Sequence, residues 1–296
     1  MRGVRYGGFL ALIGAVLFST KAILVKLAYN YDIDSVSLLN LRMLFALPIF
    51  AGIAIHKFSK DKTKIALAKE YKWSVILFGF LGYYVASLAD LEGLRFIDAS
   101  LERIVIFMYP TLVVILSYIF LRKRITRVQL YAIVTTYIGV MIALGGNLII
   151  NASDNFIWGV MLILFSAFAY AIYLIGSGEV APKLGTRIYN SLSMTVAALA
   201  IIIHNAILHG FNMLDFQWEI YLIAFLISTF STVIPSYMIV EGIRIIGASK
   251  ASIIGTVGPI STIILASLIL QEDIHVIQWV GSLLVVASVV FVMLKK

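Results

Sequence analysis

The chain of 296 residues contains no cysteine. Disulfides, thiolate nucleophiles, zinc-thiolate sites and cysteine-ligated iron-sulfur clusters are therefore excluded. Charge is scarce as well: Asp, Glu, Lys and Arg make up 13% of the residues, about half the quarter usual in soluble chains. That is too little to coat a water-soluble globule of this size. No glycine-rich phosphate loop is present, so ATP-driven transport by this chain alone is not expected. His204 and His209 stand five apart, whereas two imidazoles on one helical face need three or four, so no metal site is expected. Gly176-Ser177-Gly178 has no histidine at its depth and reads as the start of a loop, not as a serine nucleophile. Nothing calls for a cofactor. The net charge of +8 lies in short segments between apolar runs and forms no aromatic-bearing basic face, so nucleic acid is not an expected partner.

What the chain has in excess is apolar sequence, 61% of its residues. A membrane helix needs about 20 such residues to cross about 30 Å of hydrocarbon. Ten runs qualify: 7–28, 36–55, 73–96, 101–121, 126–147, 155–177, 187–208, 219–242, 250–270 and 274–294. An all-α membrane protein embedded in a lipid bilayer is the predicted class. Arg2 and Arg5 before an apolar run resemble a secretory signal, but the pattern passes through Lys21 without a cleavage site, which predicts a retained first span. The longest connection, His56 to Lys72, carries six lysines suited to an anionic membrane surface. With the N-terminus inside, 18 of the 23 basic residues fall on the cytoplasmic side, and Arg95 and Arg103 are the two that fall outside with most acidic loop residues. Both termini are thus expected in the cytoplasm of a bacterial or archaeal plasma membrane, and the 145–155 and 209–218 loops outside.

Sliding the chain on itself by 149 residues aligns Ser87–Gln129 with Ser236–Gln278 at twelve identities, including Glu92/Glu241, Gly93/Gly242, Arg95/Arg244 and Pro110/Pro259. Apolar matches arise by chance; Glu-Gly-x-Arg and a mid-span proline at one offset do not. Two five-span units are predicted, 1–148 and 149–296. Five is odd, so the two units cross in opposite directions. The basic triplet Arg122-Lys123-Arg124 faces Gln271-Glu272-Asp273 at the equivalent position, the charge exchange expected of inverted orientation.

The ten spans in two repeats, Lys26 at the outer end of the first span, Arg42 inside the second, and small residues leading into spans four and nine before Pro110 and Pro259 resemble the EamA-type branch of the drug/metabolite transporter superfamily. Glu272, 13 residues after Pro259, fits the same pattern. The resemblance covers essentially the whole chain. It implies secondary transport or export of amino acids, related metabolites or drugs, and no enzymatic activity. An intramembrane enzyme and a membrane sensor or scaffold are the alternatives; the first lacks an assembled nucleophile, base or metal set, and the second has little loop surface for a partner.

The residues themselves name a candidate path. Pro110 and Pro259 deny a backbone donor to the carbonyls of Ile106 and Gly255, a break tolerated where a wet cavity or a neighbour satisfies them. A paired hinge is favoured over a packing kink. Tyr109 and Gly258 precede the two prolines and differ in bulk. Ionised side chains within a span cost about 2.5–3.5 kcal/mol near its centre, which singles out Lys21, Lys26, Arg42, Asp90 and Glu92. Arg42, Lys26 and Glu92 are near enough to the outer ends to snorkel. Lys21 and Asp90 lie deeper, at comparable depth, and are expected to pair or to line the path with Asp90 as a proton-linked group. Tyr84 on the third span, and Ser231 and Tyr237 on the eighth, complete the expected substrate-binding set. A small-molecule substrate is expected, with proton coupling open and the state open between monomer and homodimer.

Overall fold

The computed structural model describes residues 2–122, 124–150, 154–210, 215–246, 254–255 and 257–294; Lys123 and parts of both expected outer loops lie outside them. Helix is the only regular structure among the described residues, as hydrocarbon demands of a chain that must satisfy every backbone group internally. The helices are α1 Arg2–Tyr29, α2 Ser35–Lys60, α3 Thr63–Glu70 and α4 Lys72–Gly93. Then come α5 Ala99–Ile106, α6 Tyr109–Leu121, α7 Arg127–Ile150, α8 Asp154–Leu184 and α9 Thr186–His209. Helix α10 runs through Trp218–Ser228, Thr229–Val233 and Ile234–Ile246; α11 is Val257–Leu270 and α12 Val276–Leu294. Among the described residues, eight helical stretches are long and apolar enough to cross a membrane, Ala99–Leu121 counting as one; Val257–Leu270 and Val276–Ser288 are shorter apolar helices.

Three sequence expectations need correction. The lysine-rich connection after the second run is largely helical, because α2 continues to Lys60 and α3 follows at once; its Lys, Ala, Leu and Glu are strong helix formers. Gly176-Ser177-Gly178 lies inside α8 and does not begin a loop. Bare Gly176 is needed there because a Cβ would overlap the ring of Phe78. Glu102 and Arg103, expected at the outer surface, are 0% and 6% exposed.

Packing follows a regular scheme. Helix α1 packs on α10 and α11, α8 packs on α4, α5 and α6, α2 pairs with α9, and α7 pairs with α12. The last pair meets at Gly139 and Gly281, where a Cβ on Gly139 would lie 2.8 Å from the Gly281 carbonyl oxygen. Small residues at such crossings permit the backbone approach that drives helix association in lipid. Irregularities recur at the repeat offset. The π-helical segments Phe80–Val85 and Thr229–Val233 start 149 residues apart. Arg122 and Gln271, 149 apart, both end their helices with positive φ, 53° and 56°.

Candidate functional site

A cavity of about 380 Å³ lies among α1, α2, α4, α5, α6, α8, α9, α10 and α11. The break between α5 and α6 at Phe107 and Met108, with Pro110 in the first turn of α6, delivers Ile106, Phe107 and Tyr109 to its wall. Pro259, in the first turn of α11, lines it with Gly258. Gly258 also admits α1: its carbonyl accepts from Ser19 Oγ at 3.0 Å, and a Cβ there would stand 3.3 Å from that oxygen.

Charge gathers at one end of the cavity. Lys21 is ion-paired to Asp90 Oδ2, and the two are 8% and 2% exposed. Arg103 Nε lies 3.6 Å from Glu102 Oε2. Arg42, 3% exposed, donates from Nε to Thr232 Oγ1 at 2.9 Å, so it is buried and does not snorkel. Phe18 stands between cations, its ring centroid 6.0 Å from both Lys21 Nζ and Arg103 Cζ, within reach of the attraction between a cation and the ring face. Lys26 and Glu92 are only partly buried, and Glu92 bonds Arg95 at 3.2 Å. The other walls are aromatic: Tyr109 meets Tyr170 edge-on at 5.2 Å, and Tyr83 packs on Tyr173 at 4.8 Å while its hydroxyl donates to Asn190 Oδ1.

Six of the ten expected residues, Lys21, Arg42, Asp90, Tyr109, Gly258 and Pro259, therefore line one cavity. The other four lie off it. Tyr84 bonds His204 Nδ1 at 2.9 Å, Ser231 bonds Thr20 at 2.7 Å and Tyr237 bonds Ser191 at 2.7 Å. Pro110 shapes the break without reaching the cavity. Glu102 and Arg103 escaped the sequence reading because an acid in a helical first turn looks like a dipole partner facing water. One signal was there: the repeat offset sets them against Ala251 and Ser252, so the charges belong to one copy alone.

Beyond Lys21, toward the Tyr29 end of α1, a contact joins the two halves. Asp98 precedes α5 but its side chain does not cap it. Glu272, from after α11, does so instead: it accepts from Ala99 N at 2.8 Å, Ser100 N at 3.1 Å and Ser100 Oγ at 2.7 Å. Burial first, then the Glu272 charge, pushes the Asp98 carboxyl above its ordinary range, with Lys26 opposing. A raised native value means that the folded chain holds a proton the unfolded chain has lost, so stability rises as pH falls from neutral through that value toward the ordinary carboxylate range. Asp98→Asn should flatten the thermal midpoint against pH in that window. An unchanged slope would remove Asp98 as its source.

A family model described as the EamA-like transporter family matches residues 5–145 and again 157–294. An uncharacterized transporter of Bacillus subtilis strain 168, YcbK, is 31% identical over 95% of this chain and 90% of its own length. An uncharacterized inner membrane transporter of Salmonella typhimurium strain LT2, YicL, is 26% identical over 100% of this chain and 98% of its own. A crystal structure of another protein superposes with a TM-score of 0.67 at 14% identity, covering 98% of this chain and 96% of that one, which shows the shared fold alone. A family match across almost the whole length, joined to these apolar helices, makes this an integral membrane protein that belongs to the EamA-like transporter family.

Proposed function

We propose that the chain is a secondary transporter that moves small solutes, amino acids, related metabolites or drugs among them, by alternating access through the central cavity. The observation that carries this reading is a cavity whose walls come from both halves and whose charged end lies beside a contact between them. Ten spans in two inverted five-span units, 1–148 and 149–296, are part of the proposal. The two family matches, the π-helical segments at one offset and the exchanged pairing of α1 and α8 support it. Both termini are placed in the cytoplasm, in a bacterial or archaeal plasma membrane. Cysteines introduced at Lys64 and Gln217 should label from the inside and the outside respectively; reversed labelling overturns the orientation.

In this orientation the cavity reaches toward the cytoplasm through Ala11, Ile239 and Gly255, and the Glu272 cap on α5 is the outer closure. Reconstitution of the purified protein into liposomes tests the function, since solute flux is required of it. Pro259→Ala should restore the donor for the Gly255 carbonyl and lower flux per folded molecule, because the hinge at the cavity wall is lost. Unchanged flux would leave Pro259 as a packing element.

A further inference from the structure

Five ionisable side chains form the buried cluster, and their charges do not cancel. Lys21, Arg42 and Arg103 stand against Asp90 and Glu102, all five at most 8% exposed. With both carboxyls ionised, one positive charge is in excess. Lys21 is matched by Asp90 and Arg103 by Glu102, which leaves Arg42, whose hydrogen bond goes to the neutral hydroxyl of Thr232. Among the described residues, Nη1 of Arg42 and Nη2 of Arg103 have no hydrogen-bond acceptor. Both arginines line the cavity. A buried guanidinium without an anion is costly, and its planar fork matches a carboxylate better than any neutral group.

We infer that the solute is a small organic acid carrying one negative charge on an apolar or aromatic body, that Arg42 holds its carboxylate, and that Arg103 assists. The inference rests on the transport reading of this cavity. Its volume of about 380 Å³ lies toward the small end of ligand pockets, about 300–1,000 Å³. Phe18, Phe107, Tyr109 and Tyr170 supply apolar and ring surface for the body of such an acid. A zwitterionic amino acid fits less well. Asp90 Oδ1 lacks a donor, but an ammonium placed there would sit beside Lys21 in a cluster already one positive charge in excess. The zwitterion adds no net charge to cancel that excess. A monoanion cancels it.

The test uses three solutes built on one skeleton: 3-phenylpropanoate, phenylalanine and 2-phenylethylamine. Titration calorimetry on the purified full-length protein should find the carboxylate bound at least about tenfold more tightly than the zwitterion, with the amine weakest. Arg42→Gln should remove that preference and Arg42→Lys should retain part of it. Equal or tighter binding of phenylalanine or the amine overturns the inference. So does a preference that survives Arg42→Gln in folded protein, or the absence of binding by all three at millimolar concentration. Discrimination by the unmodified protein decides the matter even where Arg42→Gln fails to fold. Flux in liposomes separates the two claims: carboxylate binding without flux leaves the charge assignment standing and fails the transport reading, whereas flux of the zwitterion in preference does the reverse.

Discussion

Asp90→Asn is expected to be among the most damaging single substitutions in this chain, and more damaging than Lys21→Gln. The ion pair is buried on both sides, and removing one member of such a pair costs about 3–5 kcal/mol because its partner is left charged in a low-dielectric site. The surroundings make the two halves of this pair unequal. Loss of Asp90 raises the excess positive charge of the cluster from one to two, whereas loss of Lys21 brings it to zero. Folded yield and thermal midpoint should therefore fall in the order wild type, Lys21→Gln, Asp90→Asn. The double variant should recover part of the Asp90→Asn loss, since it returns the cluster to its original net charge. An equal or reversed order of the single variants would show that electrostatic balance does not govern this site. Flux measured per folded molecule adds a separate readout: a proton-linked Asp90 requires that Asp90→Asn alter the pH dependence of transport, and an unchanged pH response would leave the pair purely structural.

The second large effect is expected at Glu272. Its carboxylate replaces the missing cap of α5 with two backbone hydrogen bonds and one from a hydroxyl. Loss of a helix cap costs about 0.5–2 kcal/mol, and hydrogen bonds to a charged group are worth about 1.5–3 kcal/mol. Glu272→Ala should thus weaken the closed outer side by about 2 kcal/mol, a factor of about 30 in the ratio of conformers. The absence of native cysteine makes the measurement direct. A single cysteine at Ala15, on the cavity wall, should react faster with an impermeant thiol reagent applied from outside when Glu272 is alanine. Equal rates in both backgrounds would make Glu272 a helix cap without a gating role.

Sequence alone carried the class of the molecule and much of its plan. Long apolar runs admit few structures in hydrocarbon, so composition was enough to predict an all-helical membrane protein. The proline positions were also legible, because a missing donor acts through local backbone chemistry in any context: Pro110 begins α6 beside a break, and Pro259 lies in the first turn of α11. Lys21 and Asp90 could be paired from the cost of burying either alone. Arg42 was harder to place, since distance from a span's end suggests snorkelling to an interface. In the structure α2 instead packs against α9 and α10, whose Thr232 receives the guanidinium.

What only the tertiary structure decided is which polar groups share a space. Tyr84, Ser231 and Tyr237 carry side chains as suitable for a solute as Tyr109 does, yet each is taken up by a neighbour on another helix. Rotation of a helix about its axis sets that choice, and a helix polar at several positions does not encode its rotation locally. Glu102 and Arg103 entered the cluster for the same reason: α5 is wedged among α1, α8 and α11, so a first turn that would face water on an isolated helix is buried. The sequence by itself determined the helical class and the breaks at its prolines, because these depend on hydrocarbon thickness and backbone chemistry along the chain. The excess charge beside the cavity and the reach of Glu272 to α5 were decided by the packing of helices distant in sequence, since only their approach sets which charges meet.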